Sequence, residues 1–423
     1  MRFFLVVGLC LIASASLADP VYDTQEFSAY ENDGTAAMQA KDYARAQEAF
    51  ASAVLYNPQQ AGGFYNLAAA AARHGDNAKA LAALERFADF GFYVDLGSAP
   101  DFANLRGNAQ FQAIRRKIEA GATPVCTCTR VYEGAADSFI AEGIANDLRT
   151  GRLFVASVTR RKIVAIQNGK MHDFAIVPDG MSPLGIRINA AHDLLWVAAS
   201  TLPQSSGGDG DMGAAALLAF DITSGALRER YNAPVYAAKR SFSDMTFAQD
   251  GTAYVSDAIE GSIFRLKPGD DALEVVGSRA RFSSPQGMVV SADGRRLLVA
   301  DYTAGLQVLD IASGELANVA VPPGVTTLGM DGLVQMPNGS FAATQNGIRP
   351  NRVVNFRLSR DWMRLESFRA VARATPDVSD VSLLTPDGND VLVVGVSQWN
   401  SFGDDPAPTR PLKPWRITRV TLP

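Results

Sequence analysis

The chain is poor in the residues from which most reactive sites are built. It has three histidines (His74, His172 and His192) and three cysteines in 423 residues, which excludes a histidine-rich metal site and a disulfide-stapled framework. No Gly-x-Ser-x-Gly elbow, His-Glu-x-x-His helix or phosphate-binding P-loop occurs, so these hydrolase, zinc-protease and nucleotide signatures are missing. Gly208-Asp209-Gly210-Asp211-Met212-Gly213 does match Gly-x-Gly-x-x-Gly. It leads into a strand-like stretch, Ala214 to Phe220, where a dinucleotide fingerprint needs a helix, and it reads as a loop insertion. Long basic runs are absent too. Arg115-Arg116-Lys117 and Arg160-Arg161-Lys162 are short clusters, and 39 Lys and Arg nearly balance 44 Asp and Glu. A nucleic-acid partner is therefore not expected. No later segment is apolar over the length of a membrane span, about 20 residues, so no transmembrane segment is expected.

What is present begins with an export signal. Arg2 supplies the positive start, Phe3 to Ile12 a short apolar run, and Ser16-Leu17-Ala18 a small-x-small cleavage site. Residues 1–18 are expected to be removed after Ala18, leaving a soluble periplasmic or secreted protein. Cys10 follows no Ala or Gly, so a lipoprotein box is not expected. Cys126 and Cys128 then remain. Two apart on a strand, their thiols could bridge or hold a soft metal; an exported compartment permits a local disulfide, or they stay two partly buried thiols, and no functional role is assigned to them. With 47% hydrophobic and 20% charged residues, the rest is ordinary globular material with room for two or three domains.

Residues 19–122 read as a small all-α domain. Tyr30, Gly34, Asp42-Tyr43, Ala46, Phe50, Ala53 and Pro58 fall at the spacing of one tetratricopeptide-like repeat. A degenerate copy follows with Phe64, Leu67, Ala68, Gly75-Asp76, Ala80 and Leu84, and a closing helix is expected from Asp101 to Ile118. Two repeats bury little core alone. The domain is expected to lean on the β-rich part of the chain, as a support or as a site for a protein partner.

Residues 123–423 read as all-β. One phrase recurs: a polar residue, then Gly or Asp, an aliphatic, a turn, and a second strand. Its copies begin at Glu142, Leu184, Ser243, Gln286, Asp331 and Ser379. A repeat of roughly 40–50 residues with about four strands is a propeller blade, and six copies predict six blades. The stretch Val125–Tyr132 is expected to pair with the last blade and close the ring.

Inner strands of a propeller open around one mouth of the central channel, so the six opening residues converge. The second-strand ends add Ser157, Asp257, Asp301, Gln345, Asn346 and Gln398. Two carboxylates and an amide oxygen across a narrow mouth suit a hard divalent cation such as calcium or magnesium. The alternative is a set of polar groups that only solvates a water-filled channel.

Residues 139–400 resemble the gluconolactonase/regucalcin-like superfamily of six-bladed propellers. The phrases that carry the resemblance are Glu142-Gly143-Ile144, the stretch from Pro285-Gln286-Gly287-Met288 to Gly294, and Met330-Asp331-Gly332-Leu333. With Gln345-Asn346-Gly347-Ile348-Arg349-Pro350, Ser397-Gln398-Trp399 and the helical domain, the chain resembles exported bacterial members. The resemblance implies one divalent cation, calcium foremost, held by Glu142, Gln286 and Asp331, and hydrolysis of sugar-acid lactones. The family's usual Asn is Gln286 here, and an Asn-Asp pair is Ser243-Asp244. Asp331 or Asp244 is the implied general base, and Ser243, Asn346 and Arg349 the substrate contacts. The rival reading is a non-catalytic ligand- or protein-binding module of the cell envelope. A quinone-dependent sugar dehydrogenase is a third, and no basic and aromatic grouping places a quinone.

Overall fold

The computed structural model describes residues 23–189, 191, 193–205, 213–234, 239–278 and 281–423. The expected export signal (residues 1–18) with Cys10, His192 and the Gly208–Met212 stretch lie outside the described residues.

Helices α1 (Thr24–Gln39), α2 (Tyr43–Tyr56), α3 (Ala61–His74) and α4 (Asn77–Asp89) pack in sequence as two hairpins. Asp23, Asp42 and Asp76 cap α1, α2 and α4 by accepting backbone amides of the first turn. Gly34 lets α2 approach closely: a Cβ there would lie 2.6 Å from the Phe50 ring. The expected closing helix is two pieces. A 3-10 turn at Pro100–Leu105 is followed by α5 (Ala109–Glu119), because Asn108 breaks the run and caps the new helix through Gln110 and Phe111.

Six antiparallel sheets follow, five of four strands and one of five, in a six-bladed β-propeller. Inner strands are Ala141–Asp147, Ser182–Asn189, Phe242–Phe247, Pro285–Val290, Met330–Gln335 and Leu384–Asp387. Apolar clusters between adjacent blades hold the ring together; Phe154, Ile186 and Phe220, for example, share one cluster. Closure divides the early stretch. Strand Cys128–Glu133 completes the sixth blade against Arg416–Val420, whereas Val125–Cys126 extends the fifth blade beside Leu365–Arg373. Cys126 and Cys128 are disulfide-bonded across this crossover.

The recurring phrase is a β-bulge. In the first blade Ala141 opposes Ser157 while Ile144 opposes Val155, so three steps on the inner strand match two on its neighbour. The same one-residue shift falls between Pro183 and Ile186, Phe242 and Met245, Pro285 and Met288, and Met330 and Leu333. A bulge re-aims a side chain and bends the strand, which is how each opening residue reaches the channel mouth. The glycine that follows has a separate cause. A Cβ on Gly143 would lie 2.1 Å from the Leu184 carbonyl oxygen of the next blade, and one on Gly287 2.5 Å from the Leu333 nitrogen. Gly143→Ala is therefore expected to destabilise the propeller by about 3 kcal/mol, as severe overpacking does; the urea midpoint measures it.

The helical domain leans on blades four and five. The Gln59 side-chain oxygen accepts from the Thr327 amide (2.8 Å) and hydroxyl (2.9 Å), all buried. Arg352, buried against the Phe92 and Phe368 rings, reaches the Phe90 carbonyl, and Arg373 reaches those of Gly91 and Ala120. Gln59→Ala leaves the buried Thr327 amide without its acceptor. It is expected to cost about 1–3 kcal/mol, read as a lower thermal midpoint.

Candidate functional site

Over one mouth of the channel lies a cavity of about 410 Å³. Five of the six expected opening residues line it: Glu142, Leu184, Ser243, Gln286 and Asp331. Ser379 does not; Asp380 and Val381 take that sector. The sixth inner strand begins at Leu384, and Gly332 packs on Leu383 and Leu384 as Gly287 packs on Asp331 and Leu333. The structural opener of blade six is thus Ser382, three residues later than expected. Ser379 and Asp380 form a preceding turn bonded to the Gly395 carbonyl.

Among the second-strand ends, only Asn346 lines the cavity. The buried Ser157 hydroxyl has no hydrogen-bond partner among the described residues, and the remaining four are spent on structure. Asp301 accepts the amides of Ser283, Ser284, Thr303 and Ala304. Asp257 accepts those of Ser241, Ile259 and Glu260 and pairs with Arg240. Gln345 bonds the Thr326 and Leu328 carbonyls and accepts from Arg352, and Gln398 bridges Phe139 and Lys413.

Glu142 and Asp331 are the electrostatic centre. Trp399 and Ser382 both donate to Glu142 Oε2, and Asn346 Nδ2 donates to Asp331 Oδ2 at 2.7 Å and to the Val381 carbonyl at 3.1 Å. Among the described residues, neither carboxylate is in an ion pair, and Glu142 Oε1, Asp331 Oδ1 and the buried Asn346 Oδ1 accept no hydrogen bond. Burial first, then the Asp331 charge, pushes Glu142 up to about 8 despite its two donors. Burial and the Asp244 charge push Asp331 up to about 7 against the Asn346 bond. Asp244 itself is buried, ion-paired to Arg187 at 2.8 Å and bonded to the Met245 amide; it is not among the cavity residues. Tyr302, also on the cavity wall, is raised to about 12 by burial and the Asp331 charge, so it remains a neutral phenol.

This donor set fits a hard divalent cation. Two carboxylates in one cavity, Glu142 buried and Asp331 half-buried, repel without a counter-charge, and the orphaned Asn346 amide oxygen is a neutral donor beside them. No three His, Cys, Asp or Glu side chains form a ligand group by themselves among the described residues. The amide oxygens of Gln286 and Asn346 and water would have to complete the shell. The Gln286 side-chain nitrogen donates to Ser284 Oγ at 3.1 Å. Arg349 stands at the rim, with its guanidinium on the Asn346 and Ile348 carbonyls and the Asn400 side chain. Ser243 lines the wall beside Ser241. The sequence assigns no role to Trp399, Ser382, Tyr302 or Asp380; Trp399 carries a signal there as part of a resembling phrase, and Asp380 as the second residue of the copy that begins at Ser379.

Fold and site together define a six-bladed β-propeller with an acidic cavity over one end of its channel. No protein-family model and no curated protein sequence matches the chain. Among solved structures it is similar to a PQQ-bound aldose sugar dehydrogenase from Streptomyces coelicolor, at 13% identity and a TM-score of 0.50, covering 70% of this chain and 99% of that one. It is also similar to a calcium-binding regucalcin from Agrobacterium tumefaciens (15% identity, TM-score 0.48, 69% of this chain and 93% of that one). A gluconolactonase from Xanthomonas campestris matches at 16% identity and a TM-score of 0.47, over 71% and 95% of the two chains. At these identities the likeness is one of fold. Among the described residues no helix is long and apolar enough to cross a membrane.

Proposed function

We propose that the chain is an exported, divalent-cation-dependent lactone hydrolase, with sugar-acid lactones the first class to test. The observation that carries this reading is the pair Glu142 and Asp331, one buried and one half-buried in a single cavity, with no cationic side chain paired to either among the described residues. A scaffold has no use for two such groups. Glu142, Asp331 and Gln286 would hold the cation, calcium foremost. When bound, it polarises the lactone carbonyl and lowers the pKa of water. Asp331 Oδ1, the oxygen that Asn346 does not hold, is the better-placed general base; Asp244 is tied to Arg187. Ser243 and Asn346 face substrate hydroxyls, and Arg349 at the rim faces a carboxylate.

The test is metal content of the purified chain together with ring opening of γ- and δ-sugar-acid lactones, before and after chelation. A stoichiometric ion and chelator-sensitive hydrolysis support the reading; no ion and no hydrolysis sink it. A non-catalytic binding module is the second reading. It is favoured by Trp399 and Ser382, which already occupy one oxygen of Glu142.

A further inference from the structure

The acidic cavity shares part of its wall with a second one. Tyr302 and Arg349 line it and also line a second cavity of about 440 Å³ between the propeller and the helical domain. The two compartments differ in chemistry. Glu142, Asp331 and Asp380 face the first. Among the described residues no acidic side chain lines the second, whose walls include Phe87, Phe92, Tyr93 and Val94 from the helical domain and Leu328 and Ile348 from the propeller.

The wall between domains is fixed. Gln59 lies at its base, locked to Thr327 by the two buried hydrogen bonds described above. Phe92 is stacked between Phe90 and the Arg352 guanidinium. At the junction Tyr302 lies against Gly347, where a Cβ would meet its hydroxyl at 2.9 Å, and Arg349 is held by two loop carbonyls and Asn400. Tyr93 on the same wall is 44% exposed.

We propose that this second compartment receives an apolar substituent of the substrate, so that the lactones handled here carry an alkyl chain or ring beyond the ring being opened. The proposal rests on the hydrolase reading for the position of the reacting ring, and on the shared Tyr302–Arg349 wall for the direction of the substituent. A polar monosaccharide lactone would leave the aromatic wall wet. An alkyl substituent removes that surface from water, with a return that grows with each buried methylene. The helical domain would then be a specificity wall of the site.

The experiment compares δ-valerolactone with δ-dodecalactone on the calcium-loaded full chain. It includes Gly62→Trp, which puts an indole on the wall of the second compartment at a position where an added Cβ meets nothing within 4 Å, and Gly62→Ala as the size control. The long lactone is expected to have a kcat/KM at least tenfold higher than the short one. Gly62→Trp is expected to erase that ratio, mainly through KM, while Gly62→Ala retains it. Equal values for the two lactones, or a ratio unmoved by Gly62→Trp, would overturn the inference and leave the hydrolase reading standing. Hydrolysis of neither lactone would count against the hydrolase reading, and calorimetric binding of δ-dodecalactone then decides the compartment. Binding lost in Gly62→Trp supports it, and no binding to the parent chain overturns it.

Discussion

Replacing Glu142 and Asp331 together by alanine is expected to remove calcium binding and to lower lactone hydrolysis by roughly 10²–10⁴-fold, the range that a positioned acid–base group supplies. Glu142 is buried and Asp331 half-buried in one cavity, the Asp331 charge raises the proton affinity of Glu142, and no arginine or lysine pairs with either among the described residues. A ligand that binds only the folded chain stabilises it by about 2.7 kcal/mol at a hundredfold excess over Kd. The parent should therefore melt several degrees higher in calcium than in chelator, and the double variant at one temperature in both. Glu142→Gln separates charge from shape. It keeps an oxygen for Trp399 and Ser382 to donate to, but removes one negative ligand, so it should fold normally and lose most of the calcium response. A calcium response undiminished in both variants would place the ion elsewhere.

The features that repeat were legible in the sequence, and those that occur once were not. Five bulges carry the same three-residue phrase, because each must aim one side chain at the channel and let the next blade's backbone approach. That double constraint leaves Glu142-Gly143 and Asp331-Gly332 recognisable although they stand two blades apart around the closed ring. The sixth blade satisfies it with Ser382-Leu383, which has neither a charge nor a glycine, so the nearby Ser379-Asp380 imitated it better. The second-strand ends misled for the opposite reason. Asp257 and Asp301 recur at the same register because a carboxylate there caps the following turn, accepting several amides at once. A repeated acid can serve the fold. Trp399 reaches Glu142 from 257 positions away, and no local spacing encodes that contact. The docking of the helices through Gln59 and Arg352 was equally silent, since a single buried glutamine or arginine has no period. Only the small core of two hairpins implied that a neighbour was needed.

The direction in which stability changes with pH is expected to invert when calcium is added. Glu142 and Asp331 have folded-state proton affinities raised to about 8 and about 7, from ordinary values of 4.5 and 3.8. Between about pH 4 and pH 8 the unfolded chain releases protons that the folded chain keeps. The folded state then binds more protons, and stability falls as pH rises through that window. The contribution is fully present below pH 4 and is lost as pH passes the folded values. Asp380, raised by its own burial, acts in the same direction. A tenfold change in proton affinity is worth about 1.4 kcal/mol, so even part of the displacement amounts to a few kcal/mol. A divalent cation takes the place of those protons and requires the carboxylates ionised, so its stabilising effect grows as they are lost. In chelator the thermal midpoint should drop between pH 5.5 and pH 8; in calcium it should hold or rise, with the largest calcium gain at pH 8. Glu142→Gln combined with Asp331→Asn removes both of these protons, and should flatten both curves to the residual slope that Asp380 contributes. A calcium gain that is the same at both pH values would mean that the ion does not compete with these protons, and that Glu142 and Asp331 stay neutral in the folded chain for another purpose.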